Sequence, residues 1–242
     1  MLIRLGGLLF SYETQDPLVQ AHLLPFCVED SEADPGQEQF QVEKKHFDEI
    51  YARLRTSKDA DKNYESYLEE MALLWTINNI LLTHDGFFLH GAAISFDDMA
   101  CIFTAPSGTG KTTHIRLWRE CFGQRVQVIN GDKPFIRLTD GEWRVFPNPW
   151  NGKEGWGGRC EKPLKGLCFL ARSGGGNRIR PMKPDEALPL LFEQTVMPEE
   201  KELIRSYMSV MSRFLREVPC WQLFCEPSRE AALVSRDAMF GK

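Results

Sequence analysis

Apolar and polar positions along this chain follow two rhythms, a period near two and a period near 3.6, and the changes of rhythm mark its elements. "LIRLGGLLFSY" (2–12) and "HLLPFCVED" (22–30) read as strands. The breaker-rich "EDSEADPGQEQ" between Glu29 and Gln39 reads as a polar loop, and a second polar stretch, "RTSKDADKN", closes this part of the chain. "YESYLEEMALLWTINNILLTHDG" repeats Tyr67, Met71, Leu74, Ile77 and Leu81 at helical spacing and stops at Gly86. "FFLHGAAIS" and "MACIFTA" predict two strands joined by the turn "FDDM", the second apolar enough for the inside of a sheet. "KTTHIRLWRECFG" predicts a helix ended by Gly123, and "RVQVING" a buried strand. "PFIRLTDGEWRVFP" predicts a hairpin turning at Asp-Gly, and "PLKGLCFLAR" one more apolar strand.

The last third turns helical. "PDEALPLLFEQ" starts one helix, and "PEEKELIRSYMSVMSRFLREV" a second that enters through Pro198 and two acids. Ile204, Tyr207, Met208, Met211, Leu215 and Val218 mark the apolar face of the second helix, a methionine stripe that suits a core. "CWQLFC" predicts a late strand and "SREAALVSRDAMF" a closing helix with Ser228 as its N-cap. "ARSGGGNRIRP" has glycines but neither a lysine nor a following helix, and reads as a hairpin connector. The expected organisation is an α/β domain over residues 61–242 with a smaller strand-containing N-terminal region over 1–60.

Composition narrows the class. Of 242 residues, 43% are hydrophobic and 26% charged, the balance of a soluble globular protein. The net charge of −5, without a long basic run, argues against bulk nucleic-acid binding. No apolar stretch approaches the ~18 residues of a membrane span. "MLIRLGGLLFSYETQ" lacks a small-residue cleavage site and reads as a first strand, not a signal peptide. The seven cysteines form no C-x-x-C pair, so most are expected to be buried small residues in a reducing cytoplasm.

The chemistry concentrates in "APSGTGKTT", which directly follows the apolar "MACIFT". A phosphate-binding loop needs small residues that turn backbone N–H groups inward, a lysine for the outer phosphates and a hydroxyl for the bridging Mg²⁺. Ser107, Gly108, Thr109, Gly110, Lys111, Thr112 and Thr113 form the expected nucleotide-binding set, with Lys111 on the phosphates and Thr112 on the metal. The usual pattern begins with Gly where this chain has Ala105. A carboxylate for the Mg²⁺ is expected at the end of a neighbouring strand, and "VQVINGDKP" offers Asp132, although "NGDK" is also a good turn by itself.

These residues resemble a family. "FFLHGAAIS", "CIFTAPSGTGKTTHIRLW" and "VQVINGDKPFIRL" are similar to the HPr kinase/phosphorylase and phosphoenolpyruvate carboxykinase group of P-loop proteins, and more closely to bacterial HPr-kinase-like proteins. The likeness covers roughly residues 84–172 well, the C-terminal helices loosely and the first sixty not at all. Its anchors are His90-Gly91, Ser107 to Thr112, and Asp132. It implies a mixed sheet around the loop, ATP with Mg²⁺, and transfer of the γ-phosphoryl group to a hydroxyl, often a serine. It implies catalytic roles for Lys111, Asp132 and His90 and a metal held by Thr112 and Asp132. His90 itself reads either as a group near the phosphates or as a hydrogen-bonded strand residue. The family has two successive aspartates where this chain has Asp132-Lys133, and an Arg-Gly where it has Lys165-Gly166.

"PNPWNGKEGWGGRCEK" reads as a lid or acceptor loop, with Trp150 and Trp156 as contact surfaces, glycines for motion, and Lys153, Glu154 and Arg159 as substrate-side charges. The alternative is a folded loop whose tryptophans pack over the sheet. The expected function is an ATP- and Mg²⁺-dependent kinase whose acceptor is a protein, peptide or small-molecule hydroxyl. A non-catalytic nucleotide-binding module is the rival. A carboxykinase fits less well, because no second cluster of His, Lys and Asp is evident. Self-association stays open.

Overall fold

The computed structural model describes residues 1–29, 37–44, 47, 50–52 and 64–241. The predicted polar stretch "RTSKDADKN" and the middle of "EDSEADPGQEQ" lie outside these residues. The chain divides into two compact units, Met1–Leu81 and Leu82–Lys242. Among the described residues no helix is long and apolar enough to cross a membrane.

The first unit carries a small sheet. β1 (Leu2–Leu5) pairs antiparallel with β2 (Leu8–Tyr12), and β2 pairs parallel with β3 (Gln39–Val42), a strand the sequence pattern did not predict. "HLLPFCVED" is not a strand. α1 (Pro17–Leu23) precedes a single 3₁₀ turn over Leu24–Phe26. Asp16 starts this helix, accepting from the N–H groups of Leu18 (2.8 Å) and Val19 (3.2 Å), and Pro17 supplies the preset first position. That local cap outweighs the apolar run behind it. α2 (Tyr64–Leu82) buries Met71, Leu74, Ile77 and Leu81, but Tyr67 is exposed. Its Glu69 is buried and takes hydrogen bonds from Tyr12 Oη (2.7 Å), Lys44 Nζ (2.8 Å) and the Thr14 hydroxyl, so the carboxylate is compensated.

The second unit is a mixed α/β structure. Its main sheet runs in the order β7 (Val126–Asn130), β5 (Gly91–Phe96), β6 (Met99–Thr104), β10 (Lys162–Arg172), β12 (Cys220–Cys225) and β11 (Arg178–Met182). β6, β10 and β12 are parallel, whereas β5 is antiparallel to β6 and β7. The first residues of β10 also pair with β9 (Glu142–Phe146), which continues through β8 (Phe135–Thr139) to β4 (Gly86–Phe88). The β8–β9 hairpin turns at Asp140 and Gly141, both with positive φ (53° and 79°), as the Asp-Gly pair predicts.

Both faces of the main sheet are covered. Ala93, Ile102, Leu167 and Phe169 pack under α4 (Pro184–Phe192) and α5 (Lys201–Glu217). Ile94, Phe103, Cys168 and Leu170 pack under α3 (Lys111–Phe122) and α6 (Arg229–Phe240). Burial on both faces explains why these strands are continuous apolar runs.

Several details depart from the sequence pattern. "FFLHGAAIS" is two strands that join different parts of the sheet. At the break, His90 N–H donates to Gln194 O (2.7 Å) and Gly91 N–H to Asp132 O (2.8 Å). "ARSGGGNRIRP" is not a hairpin, because β11 pairs with β12, not with β10. On α5 the buried face is Tyr207, Val210, Met211, Phe214 and Leu215, and Met208 points outward. Ser228 sits at the N-cap of α6 without capping it; its hydroxyl accepts from Asn177 Nδ2 (3.0 Å). Of the seven free cysteines only Cys101, Cys168 and Cys220 are buried, so burial accounts for fewer of them than expected.

Candidate functional site

The candidate site is assembled at the C-terminal end of β6. Ala105, buried, directly follows the strand, and its φ is not left-handed, so this position has no need of glycine. Pro106, Ser107 and Gly108 are exposed. Gly108 (φ +76°) and Gly110 (φ +122°) make the two turns that an L side chain resists, and the space beside both is open. Thr109 N–H closes onto Pro106 O (3.2 Å), and His114 N–H onto Gly110 O (2.9 Å) starts α3. Lys111 folds back across the loop to Ala105 O (2.7 Å). α3 therefore starts directly at the glycine turn, with the Lys111 side chain laid back across it. Burial lowers the Lys111 pKa, opposed by the negative charge of Asp132. Thr112 is half-buried and Thr113 exposed beside it on the first turn of the helix.

Asp132 stands just past β7. Asn130, fully buried, accepts from the N–H groups of Asp132 (2.9 Å) and Lys133 (2.7 Å) through Oδ1. Its Nδ2 donates to Asn148 Oδ1 (3.0 Å). Asn148, also buried, donates to Lys133 O (2.7 Å) and accepts from Trp150 N–H (2.9 Å). Two amides 18 residues apart thus fix the backbone of the Asp132 turn, with their hydrogen-bonding capacity used internally.

The Asp132 carboxylate has two nitrogen neighbours, one of them a lysine. Lys133 Nζ pairs with Oδ2, and His90 Nε2 lies 3.5 Å from Oδ1. His90 Nδ1 is 3.2 Å from Gln194 Oε1, an acceptor, which puts the proton of neutral imidazole on Nδ1. Nε2 then turns its lone pair toward Asp132. Burial is the largest effect lowering the His90 pKa, followed by the charge of Lys111, while Asp132 pulls the other way. Lys111, His90, Asp132 and Lys133 therefore sense one another's charge in one half-buried cluster.

The loop after β9 docks on this cluster. A Cβ on Gly152 would lie 2.8 Å from Asp132 Cβ, and one on Gly131 would lie 2.7 Å from Asn151 O. Gly158 N–H donates to Ile129 O (2.8 Å). These glycines permit close backbone approach. Trp150 is buried with its ring 5.9 Å from that of Phe135, so it is core and not a contact surface. Trp156 takes the guanidinium groups of Arg116 (5.6 Å) and Arg119 (5.2 Å) on its ring. Glu154 pairs with Arg116 (3.0 Å) on α3, whereas Lys153 and Arg159 are exposed without an ion pair among the described residues. Gly166 has a packing role: a Cβ there would lie 2.3 Å from the Trp221 ring.

No family profile matches the chain, and no curated protein sequence matches it. Among solved structures, it is similar to the Hpr(Ser) kinase/phosphatase from Coxiella burnetii. The identity is 10%, the TM-score is 0.35, and the match covers 62% of this chain and 89% of the other. This is a distant likeness of fold and assigns no residue a role.

Sequence reasoning missed four residues of this region: Asn130, Asn148, Gln194 and Arg172. An asparagine ending an apolar strand ahead of Gly-Asp is a legible turn signal for Asn130. Nothing in the one-dimensional pattern points to its partner Asn148, to Gln194 behind His90, or to Arg172, whose Nη2 donates to Gly108 O (2.5 Å).

Proposed function

We propose that this protein is an ATP- and Mg²⁺-dependent phosphotransferase that moves the γ-phosphoryl group to a hydroxyl of a protein, peptide or small molecule. The observation that carries the reading is the meeting of Lys111, on its glycine turn, with the Asp132–His90 pair in one half-buried cluster. Loop N–H groups and Lys111 bind the outer phosphates. Asp132, with His90 behind it, takes the proton of the acceptor hydroxyl. Ser107, Gly108, Thr109, Gly110 and Thr113 complete the cradle.

The Thr112 hydroxyl and the Asp132 carboxylate are hard oxygen donors that suit Mg²⁺, and the described residues contain no group of three metal-ligating side chains. Two protein ligands are enough for a metal that keeps waters and takes its other ligands from phosphates. Bound there, Mg²⁺ would neutralise charge on the phosphates.

Calorimetry with ATP, with and without Mg²⁺, tests the reading. Lys111→Ala is expected to weaken ATP by about 10- to 100-fold, the value of one charge-assisted contact. Asp132→Asn is expected to spare Mg²⁺-free binding and abolish the gain from Mg²⁺. Unchanged affinity in the first variant sinks the loop assignment; a normal Mg²⁺ effect in the second sinks the metal role. One observation favours a second reading, binding without transfer: Lys133 occupies Asp132 where the resembling family has a second aspartate. Tight Mg²⁺–ATP binding without transfer to any serine-containing protein or peptide would favour it.

A further inference from the structure

Asp132 and Lys133 lie between β7 and β8, where Asn130 Oδ1 accepts from both of their N–H groups (2.9 and 2.7 Å). Along a strand, neighbouring side chains point to opposite faces. In this turn they meet, and Lys133 Nζ pairs with Asp132 Oδ2. Asn148 Nδ2 donates to Lys133 O (2.7 Å), so the Lys133 backbone is held at its N–H and at its carbonyl. Its flexible four-carbon stem is the part left to move. The other carboxylate oxygen, Oδ1, faces His90 Nε2 at 3.5 Å. One carboxylate therefore meets an imidazole on Oδ1 and an ammonium on Oδ2.

From this geometry we infer that Lys133 is the built-in counter-ion of Asp132, and that Mg²⁺ arriving with the nucleotide takes its place on Oδ2. The inference rests on the proposed reading of Asp132 as a metal ligand. It concerns the carboxylate before the metal binds. The ammonium competes for the oxygen that the metal needs. The Lys133 and Asp132 side chains are 26% and 24% exposed, so the ammonium has water to move into, and a partly exposed pair of single charges is weak. A divalent ion that bridges the carboxylate and the phosphates attracts Oδ2 more strongly. The Lys111 pKa is lowered first by burial, and the Lys133 charge acts the same way, so this ammonium is within electrostatic reach of the loop lysine. Two effects of opposite sign follow. Without metal, Lys133 cancels the repulsion between Asp132 and the phosphates and favours ATP. With metal, Lys133 competes for Asp132 and disfavours Mg²⁺–ATP. Lys133 thus narrows the difference between the two forms of the nucleotide.

The test is calorimetry of ATP with and without Mg²⁺ in Lys133→Met, which keeps an unbranched stem and removes the charge. Metal-free ATP is expected to bind about fivefold more weakly, and Mg²⁺–ATP at least as tightly as in wild type. The gain from Mg²⁺ therefore grows about fivefold or more. Lys133→Arg keeps the charge and is expected to keep the wild-type gain. A purely structural role would weaken both forms of ATP alike and leave the gain where it was. A gain that is unchanged or reduced in Lys133→Met overturns the counter-ion role and leaves Asp132 standing as the metal ligand. So does a gain raised equally in Lys133→Arg, which would make side-chain shape the cause. A wild type that binds ATP without any gain from Mg²⁺ overturns the metal reading of Asp132 and this inference together, as does a wild type that binds no ATP. If Lys133→Met binds neither form, the neutral but polar Lys133→Gln repeats the measurement. A raised gain there supports the exchange, and loss of both forms again overturns it.

Discussion

Asp132 owes its position to amides more than to charge. Its own N–H and that of Lys133 end on the buried Asn130 side chain, and Asn148 locks that side chain from behind. An ion pair at a half-exposed surface contributes little by itself, whereas two buried amides with every contact satisfied define one geometry. A second buried polar group lies on α3. His114 Nε2 accepts from Trp118 Nε1 (3.1 Å), which also donates to Ser235 Oγ (3.0 Å). Acceptance at Nε2 requires the neutral ring, and burial pushes its pKa from 6.5 down to about 3. The unfolded chain therefore binds a proton that the folded chain refuses between these values, so folding stability falls as pH drops from 6.5 toward 3. The loss is a few kcal/mol at about 1.4 kcal/mol per unit. His114→Leu removes the titrating group, and Trp118 keeps Ser235 as its acceptor. Urea unfolding at stepped pH is expected to show wild type losing stability relative to His114→Leu below pH 6.5; parallel curves would contradict it.

At the scale of elements, the loop after β9 and the end of β7 behave as one piece. Gly152 (φ +80°) lies against Asp132, while Gly155 (φ +63°) has open space around it. Alanine at either position costs backbone strain of about 1 kcal/mol. Only Gly152→Ala also pushes on Asp132. Gly155→Ala is expected to lower stability and keep the Mg²⁺ dependence of ATP binding, whereas Gly152→Ala weakens both. Equal effects in urea unfolding and calorimetry would mean that the loop does not position the carboxylate. The same elements show what the sequence makes legible. Strand β6, the glycine turn and α3 were readable because an apolar run, Gly108, Gly110 and Lys111 all signal locally. The β8–β9 hairpin was readable because Asp140-Gly141 suits a turn with two positive φ angles. β3 and β11 are short, largely exposed edge strands of four and five residues, and their pairing is set by distant partners. The break at His90 was hidden because both flanks are apolar, and only the destinations of two N–H groups reveal it. Trp150 read as a contact surface because an aromatic among glycines looks the same whether it packs inward or outward.

The whole chain comprises two units, and every residue proposed to touch nucleotide lies in the second, Leu82–Lys242. A ligand stabilises only what unfolds together with its site. At about 100 times its Kd it contributes about 2.7 kcal/mol, or roughly a hundredfold slower opening of the amides that exchange by unfolding of that unit. β5, β6 and β10 form the middle of the sheet that carries the loop, and both their faces are buried, so their amides report that unfolding. β1 and β2 belong to the other unit, with Ile3, Leu5, Leu9 and Phe10 buried within it. Hydrogen exchange with and without saturating Mg²⁺–ATP is therefore expected to slow the amides of β5, β6 and β10 and leave those of β1 and β2 unchanged. Equal slowing in both sets would show that the two units unfold as one cooperative body. Slowing in neither set, at an ATP concentration that saturates calorimetrically, would mean that binding is not coupled to the sheet, because a ligand held at the end of β6 has to raise the cost of opening it.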